Sequence, residues 1–88
     1  MCTMICLTTP IRGSGKGALG WFPLSQANVG YDHPAHAPFE HALLLDFVNP
    51  ELGAGARVGV ELSLASGRAL LERLEAAIAE AERSGVAE

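Results

Sequence analysis

Three histidines, His33, His36 and His41, lie within one short stretch of the chain, and two acidic residues, Asp32 and Glu40, stand beside them. Imidazole nitrogen and carboxylate oxygen are ligands for zinc and similar divalent ions, and three protein ligands plus water are typical of a catalytic zinc site. The cluster therefore predicts a site for a divalent metal such as zinc, with all five residues as candidate ligands.

Two prolines favour a loop that presents the histidines together. Pro34 and Pro38 each push the residue before them towards extended or polyproline geometry. Since polyproline II has three residues per turn, His33 and His36 would project to the same side. His41 opens the next strand, where the sheet would fix its ring. Such a loop presents three imidazoles at little ordering cost.

The spacing of the cluster matches no established metal motif, so two other interpretations stay open. It is neither His-Glu-x-x-His on a helix nor a Cys-x-x-Cys pair. His36 or His41 beside Asp32 or Glu40 would form an acid–base couple near neutral pH, which suits catalysis or ligand binding without a metal. Alternatively, the loop is structural and its histidines bond backbone carbonyls.

A second motif, the glycine-rich run at 13–17, resembles a phosphate loop only in part. A phosphate loop needs Ser or Thr after its lysine and a helix behind it, whereas Gly17 follows Lys16 here. The run therefore predicts a flexible hairpin loop with an exposed lysine. The neighbouring Trp21 and Phe22 are expected to form a corner of the core, and the wall of a pocket is the alternative.

Alternating apolar and polar residues predict four strands joined by turns. In the last strand, Val58, Val60 and Leu62 would face inward, and Arg57 and Glu61 outward. Asp46, in an otherwise apolar strand, is expected to pair with Arg57 across the strands. The four predicted strands are Thr3–Thr9, Ala27–His33, His41–Val48 and Ala56–Leu62.

The last quarter of the chain changes to a helical period. Ser63 or Ser66 is placed to cap the start of this amphipathic helix, and Gly85 to follow its last turn. Together the elements predict an α+β fold: a four-stranded antiparallel meander with one C-terminal amphipathic helix packed on one face, in the order ββββα. The apolar side of the helix consists of Leu70, Leu71, Leu74, Ala77, Ile78 and Ala81.

One helix covers only one face of a sheet, so the opposite face, called the open face here, needs another explanation. Its predicted residues are more apolar than water usually tolerates, which predicts a homodimer through sheet faces or edge strands. Docking of another partner on this face is the alternative. The predicted residues of the open face are Met4, Cys6, Leu44, Asp46, Val48, Arg57 and Glu61.

Length and composition exclude several classes of protein. The 88 residues fit a single domain over 1–88. With 49% hydrophobic and 18% charged residues, the chain is too apolar for a disordered acidic tail. Its net charge is −4 and its six basic residues are scattered, which argues against a nucleic-acid binder.

No apolar run is long enough to predict a membrane span, and the N-terminus has no basic region of a secretory signal. A soluble, cytoplasmic protein is therefore expected. In a strand, the Cα atoms of Cys2 and Cys6 would lie roughly 13 Å apart. This is too far for a disulfide, so both cysteines are expected to be small apolar strand residues.

The sequence also resembles a family of short bacterial proteins of unknown function. The resemblance extends from the Met-Cys-Thr start to the helix, and implies a small stand-alone protein but no catalytic role for any residue. It is carried by Gly13–Gly17, Gly20–Phe22, Tyr31–Pro34, Ala37–Pro38, Glu40–His41, Asp46–Phe47, Asn49–Pro50 and Ala56–Val58.

Two hypotheses follow from the sequence. The first is a small metal-binding protein, in which the ion at the histidine cluster would activate water or polarise a small-molecule substrate. The second is a non-enzymatic accessory or interaction protein that dimerises, or docks a partner, through its open face.

Overall fold

The computed structural model describes residues 5–85 and confirms the predicted ββββα class. The four strands form one sheet in the order β1-β2-β3-β4, and each pairs antiparallel with its neighbour. The predicted strand start at Thr3, and the roles predicted for Cys2 and Met4, lie outside the described residues. The elements are β1 Ile5–Gly17, β2 Gly20–Asp32, β3 Ala42–Val48, a 3-10 turn Pro50–Leu52, β4 Arg57–Leu62 and α1 Leu64–Arg83.

The first two strands are much longer than predicted, and the prediction of a glycine-rich loop at 13–17 is wrong. This run is the second half of β1 and pairs with the first half of β2, so that only Ala18 and Leu19 remain between the strands. The register between the strands shifts between Pro10 and Gly13. Lys16 is exposed, as expected, but it lies on a strand.

Close packing explains why this strand contains glycine. A Cβ atom on Gly15 would lie 3.1 Å from the side chain of Leu24 and 3.3 Å from that of Val58. A Cβ atom on Gly17 would lie 3.0 Å from the Phe22 ring and 3.5 Å from the carbonyl oxygen of Arg57. Glycine here permits the far end of the hairpin to approach β4, its non-neighbour in the sheet.

The end of this hairpin does not form the expected core corner. Trp21 is 72% exposed, although Phe22 is half-buried. Both aromatic residues line a shallow cleft against the segment after β3, together with Leu52 and Ala56. The amide of Asn49 fixes this contact by donating a 2.9 Å hydrogen bond to the carbonyl oxygen of Pro23.

Strand register confirms the two predicted faces of the sheet. Leu43, Leu45 and Phe47 pair with the inward residues Leu62, Val60 and Val58. Leu44, Asp46 and Val48 pair with Glu61, Gly59 and Arg57 on the open face. Cys6, an exposed free thiol, shares the open face through its pairing with Gly30.

The predicted limits of the helix are confirmed, and Ser63 is the residue that caps it. Its hydroxyl accepts a 3.1 Å hydrogen bond from the backbone N–H of Ser66. Gly85 follows the last turn with a φ of +76°, the left-handed conformation that glycine adopts most readily. The helix contacts β3 and β4, and Gly67 in its first turns lies against the side chain of Leu43. Within residues 5–85, no helix is long and apolar enough to cross a membrane.

Gly30 and Gly13 offer a matched test of the hairpin. A Cβ atom on Gly30 would lie 2.8 Å from the carbonyl oxygen of Ile5, so the backbones of β1 and β2 must separate to accept it, whereas one on Gly13 meets nothing within 4 Å. We expect Gly30→Ala to destabilise the fold by about 1–3 kcal/mol and Gly13→Ala to leave it unchanged or slightly more stable. Chemical denaturation measures both, and equal effects would contradict this packing.

Candidate functional site

The loop at 33–41, which joins β2 to β3 and holds the histidine cluster, crosses the open face of the sheet. Its path brings the backbone at 35–37 against Glu61 on β4, which lies two strands away from β2. The predicted proline-braced loop is thus confirmed as a loop. Its position over the sheet depends on a residue that belongs to a different strand.

The carboxylate of Glu61 accepts three backbone hydrogen bonds from this loop. Oε2 accepts from the N–H of Ala35 at 2.7 Å, while Oε1 accepts from His36 at 3.0 Å and from Ala37 at 2.7 Å. The hydrogen bonds from Ala35 and Ala37 lower the pKa of Glu61 below its ordinary value of 4.5. Glu61 is therefore ionised at neutral pH, and its charge faces donors that the loop itself cannot satisfy.

Three other members of the histidine cluster, Asp32, Glu40 and His41, contact the backbone or the ring of His33. Asp32 is buried, and its carboxylate accepts the backbone N–H of His33 at 2.7 Å. The Nδ1 atom of His33 lies 3.0 Å from the carbonyl oxygen of Glu40. The rings of His33 and His41 have centroids 4.6 Å apart, and Tyr31 continues the row with its ring 5.7 Å from that of His41.

These contacts hold the end of the loop in place, and they do not have the geometry of a metal site. The rings of His33 and His41 lie side by side at a tilt of 32°, whereas a shared ion must lie near the plane of each ring. Among residues 5–85, no group of three or more His, Cys, Asp or Glu side chains is arranged to hold a metal ion. The predicted metal site therefore stays a prediction, and it would require the rings to rotate.

His36 occupies a different position and lines an open groove between the loop and the sheet. The volume of this groove is about 780 Å³. His33, Ala35 and Ala37 contribute to it from the loop; the sheet contributes Leu44, Leu45, Asp46, Arg57, Gly59, Val60 and Glu61. The loop thus makes this part of the open face concave.

The predicted pair of Asp46 and Arg57 forms one side of this groove. Nε of Arg57 donates to Oδ1 of Asp46 at 2.7 Å, and Nη2 donates to Oδ2 at 3.1 Å. This bidentate hydrogen bond raises the pKa of Arg57 above its ordinary value, so the guanidinium stays charged. Gly59 lies directly opposite Asp46 in the register of β3 and β4, and a Cβ there would lie 3.3 Å from Oδ1 of Asp46.

Glu61 is the residue that sequence reasoning missed as part of the site. Its outward orientation on the last strand was predicted correctly, but its partners were not. They are backbone N–H groups 24 to 26 positions earlier in the chain, and such donors leave no mark in the side-chain sequence. The available signal was an acidic residue that faces the same side of the sheet as the histidine loop.

The fold and the groove define a small α+β protein with an open, polar-walled recess on the sheet face away from its helix. The chain belongs to the family of unknown function DUF6295, whose family model matches residues 1–87. This confirms the expected membership of an uncharacterised family. No significant match was found among curated proteins or among solved structures.

Glu61→Gln tests the attachment of the loop. Glutamine keeps one acceptor oxygen and adds an NH₂ donor, so at least one N–H at 35–37 loses its partner. We expect faster amide hydrogen exchange at Ala35, His36 and Ala37, measured by NMR, and unchanged exchange in β3. Glu51→Gln, at an exposed acid in the 3-10 turn, is the matched control, and identical exchange in the two variants would contradict the role of Glu61.

Protection of the same three amides against hydrogen exchange should depend on pH. Because the folded-state pKa of Glu61 is lowered, its stabilising effect is complete above its ordinary value of 4.5 and is lost as pH falls through the folded pKa. Protection of the amides at 35–37 should therefore persist to below pH 4.5 in the wild type. The Glu61→Gln variant should lack this titration.

Proposed function

We propose that this protein binds a small polar molecule in the groove between the loop at 33–41 and the open face. The observation that carries this proposal is the groove itself. Its volume of about 780 Å³ lies within the range of small-molecule sites, roughly 300–1,000 Å³. Its lining combines apolar residues with a few polar side chains that converge on it, and such convergent polar groups fix the orientation of a bound ligand.

The polar groups indicate a neutral or zwitterionic ligand. Arg57 and Asp46 already neutralise each other, and the charge of Glu61 is directed at the loop backbone. The guanidinium keeps N–H donors beyond those used for Asp46, and the carboxylate keeps free lone pairs. A ligand with a donor and an acceptor side by side would satisfy both, and the imidazole of His36 adds ring nitrogens that donate or accept hydrogen bonds.

The test uses zwitterionic and neutral probes. We expect at least one of the twenty amino acids or the common nucleosides, at millimolar concentration, to raise the melting temperature and shift the NMR signals of Ala37 and Gly59. The paired variant Asp46→Ala/Arg57→Ala should lose this response, while Lys16→Ala, at an exposed lysine on the hairpin, should keep it. A response that survives in the paired variant would contradict the proposed site.

A second candidate, metal binding at the histidine cluster, is favoured by one observation. His33 and His41 bring two imidazole rings to 4.6 Å, so a modest rotation of either ring could direct both toward one ion. His36, Asp32 and Glu40 are the further ligands that the sequence offers. In this proposal a divalent ion such as zinc would act as a cofactor in a cytoplasmic protein.

Zinc titration distinguishes this candidate from the first. Chelator-treated wild type should bind about one equivalent of zinc at neutral pH, with affinity falling as pH drops through the imidazole range near 6.5. His36→Ala/His41→Ala should abolish binding and preserve the fold, whereas Cys6→Ser should bind as the wild type does. Calorimetry and elemental analysis measure the uptake, and an absence of uptake by the wild type would contradict metal binding.

A further inference from the structure

The helix α1 carries an apolar stripe that its own sheet does not cover. At 1.5 Å per residue it is about 30 Å long, and no residue between Leu64 and Arg83 is buried. The apolar stripe, defined by Leu70, Leu71, Leu74 and Ile78, is 43–55% exposed. A helix in a protein gains most of its stability from packing its apolar stripe against another surface, so this stripe needs a partner.

The exposed area has the size of a protein interface. A compact 9.2 kDa monomer would expose about 4,900 Å², whereas this chain exposes 6664 Å². The excess of about 1,700 Å², summed over the whole chain and including its long hairpin, is roughly twice the 800 Å² that one partner contributes to a standard interface, so an interface on the helix accounts for part of it. The radius of gyration is 14.6 Å, against about 12 Å for a compact chain of this length, so the chain is also more extended than a compact monomer.

Charge along the helix indicates which partner fits. The first half contains Arg68 and Arg73 with one acid, Glu72. The second half contains Glu75, Glu80 and Glu82, with Arg83 in the last turn paired to Glu80. A second copy of the helix, running in the opposite direction, would set the basic half of each helix beside the acidic half of the other.

We propose that a second copy of this chain covers the apolar stripe, with the two α1 helices packed antiparallel about a twofold axis. A twofold arrangement is self-complementary, so one stripe serves both copies. Antiparallel helices also place opposite ends of their dipoles together. The interface lies away from the open face, so this dimer differs from the dimer through sheet faces or edge strands that the sequence predicted, and it leaves both grooves accessible.

Charge reversal on full-length chains tests the proposal. Light scattering coupled to size exclusion should give the wild type twice its 9.2 kDa chain mass. Arg68→Glu/Arg73→Glu should weaken the dimer about tenfold, because each exposed ion pair contributes modestly. Glu75→Arg/Glu82→Arg should weaken it similarly. The chain with all four reversals keeps the original net charge and should dimerise as the wild type does.

Controls separate the helix surface from general charge effects. Lys16→Glu/Glu51→Arg exchanges a base and an acid at exposed positions outside the helix without changing the net charge, as the four-reversal chain does within the helix, and should leave the dimer unchanged. Circular dichroism on each variant reports helix content, and the rescue in the four-reversal chain excludes simple misfolding. A monomeric wild type at tens of micromolar would overturn the proposal. So would a dimer that the paired reversals leave intact, because it must use another surface.

Discussion

The carboxylate of Glu61 accepts the backbone N–H groups of Ala35, His36 and Ala37, and the position of the histidine loop depends on this one group. These three donors lie in a loop that has no strand neighbour to satisfy them. An ionised carboxylate can accept all three, and such charge-assisted hydrogen bonds are stronger than neutral ones. Since Glu61 sits on the last strand, it joins the connection between β2 and β3 to the far edge of the sheet.

The groove follows from this attachment. The loop forms its outer wall, and the ion pair of Asp46 and Arg57 forms part of the sheet side. Asp32 and Glu40 support the base of the loop by holding the backbone and ring of His33. The two proposed functions therefore share residues of one loop: His33 and His36 both line the groove, and the rings of His33 and His41 lie close together at the end of the loop.

The described part of the chain has only a small hydrophobic core around this site. Among the described residues, the buried apolar ones are alanines, Ala27, Ala42 and Ala56, and no large side chain is fully buried. The sheet and helix thus leave apolar surface on the side away from the groove. A second copy on that side would supply the missing core and would not obstruct the ligand site.

Sequence patterns predicted the elements whose causes are local. β3 and β4 alternate regularly, Ser63 caps a periodic helix, and Asp46 with Arg57 are complementary charges on neighbouring strands. The prediction of a loop at 13–17 was wrong because glycine is common both in turns and where strands pack closely. The close approach of Val58 to Gly15, which the sequence does not reveal, distinguishes the two cases. The role of Glu61 was not predicted for a different reason: its partners are backbone N–H groups of a distant loop, and these leave no pattern in the side-chain sequence. Trp21 was assigned to the core by its size, but the hairpin carries it to the surface.

The hydrogen bonds from the loop to Glu61 are tested most directly by the NMR scalar couplings that hydrogen bonds transmit. With uniformly ¹³C,¹⁵N-labelled protein at neutral pH, the amide nitrogens of Ala35 and Ala37 should each couple to the side-chain carboxylate carbon of Glu61. Both couplings should disappear once Glu61 is protonated in acid. Clear backbone spectra without these couplings, and with rapidly exchanging amides at 35–37, would contradict the attachment of the loop and with it the groove.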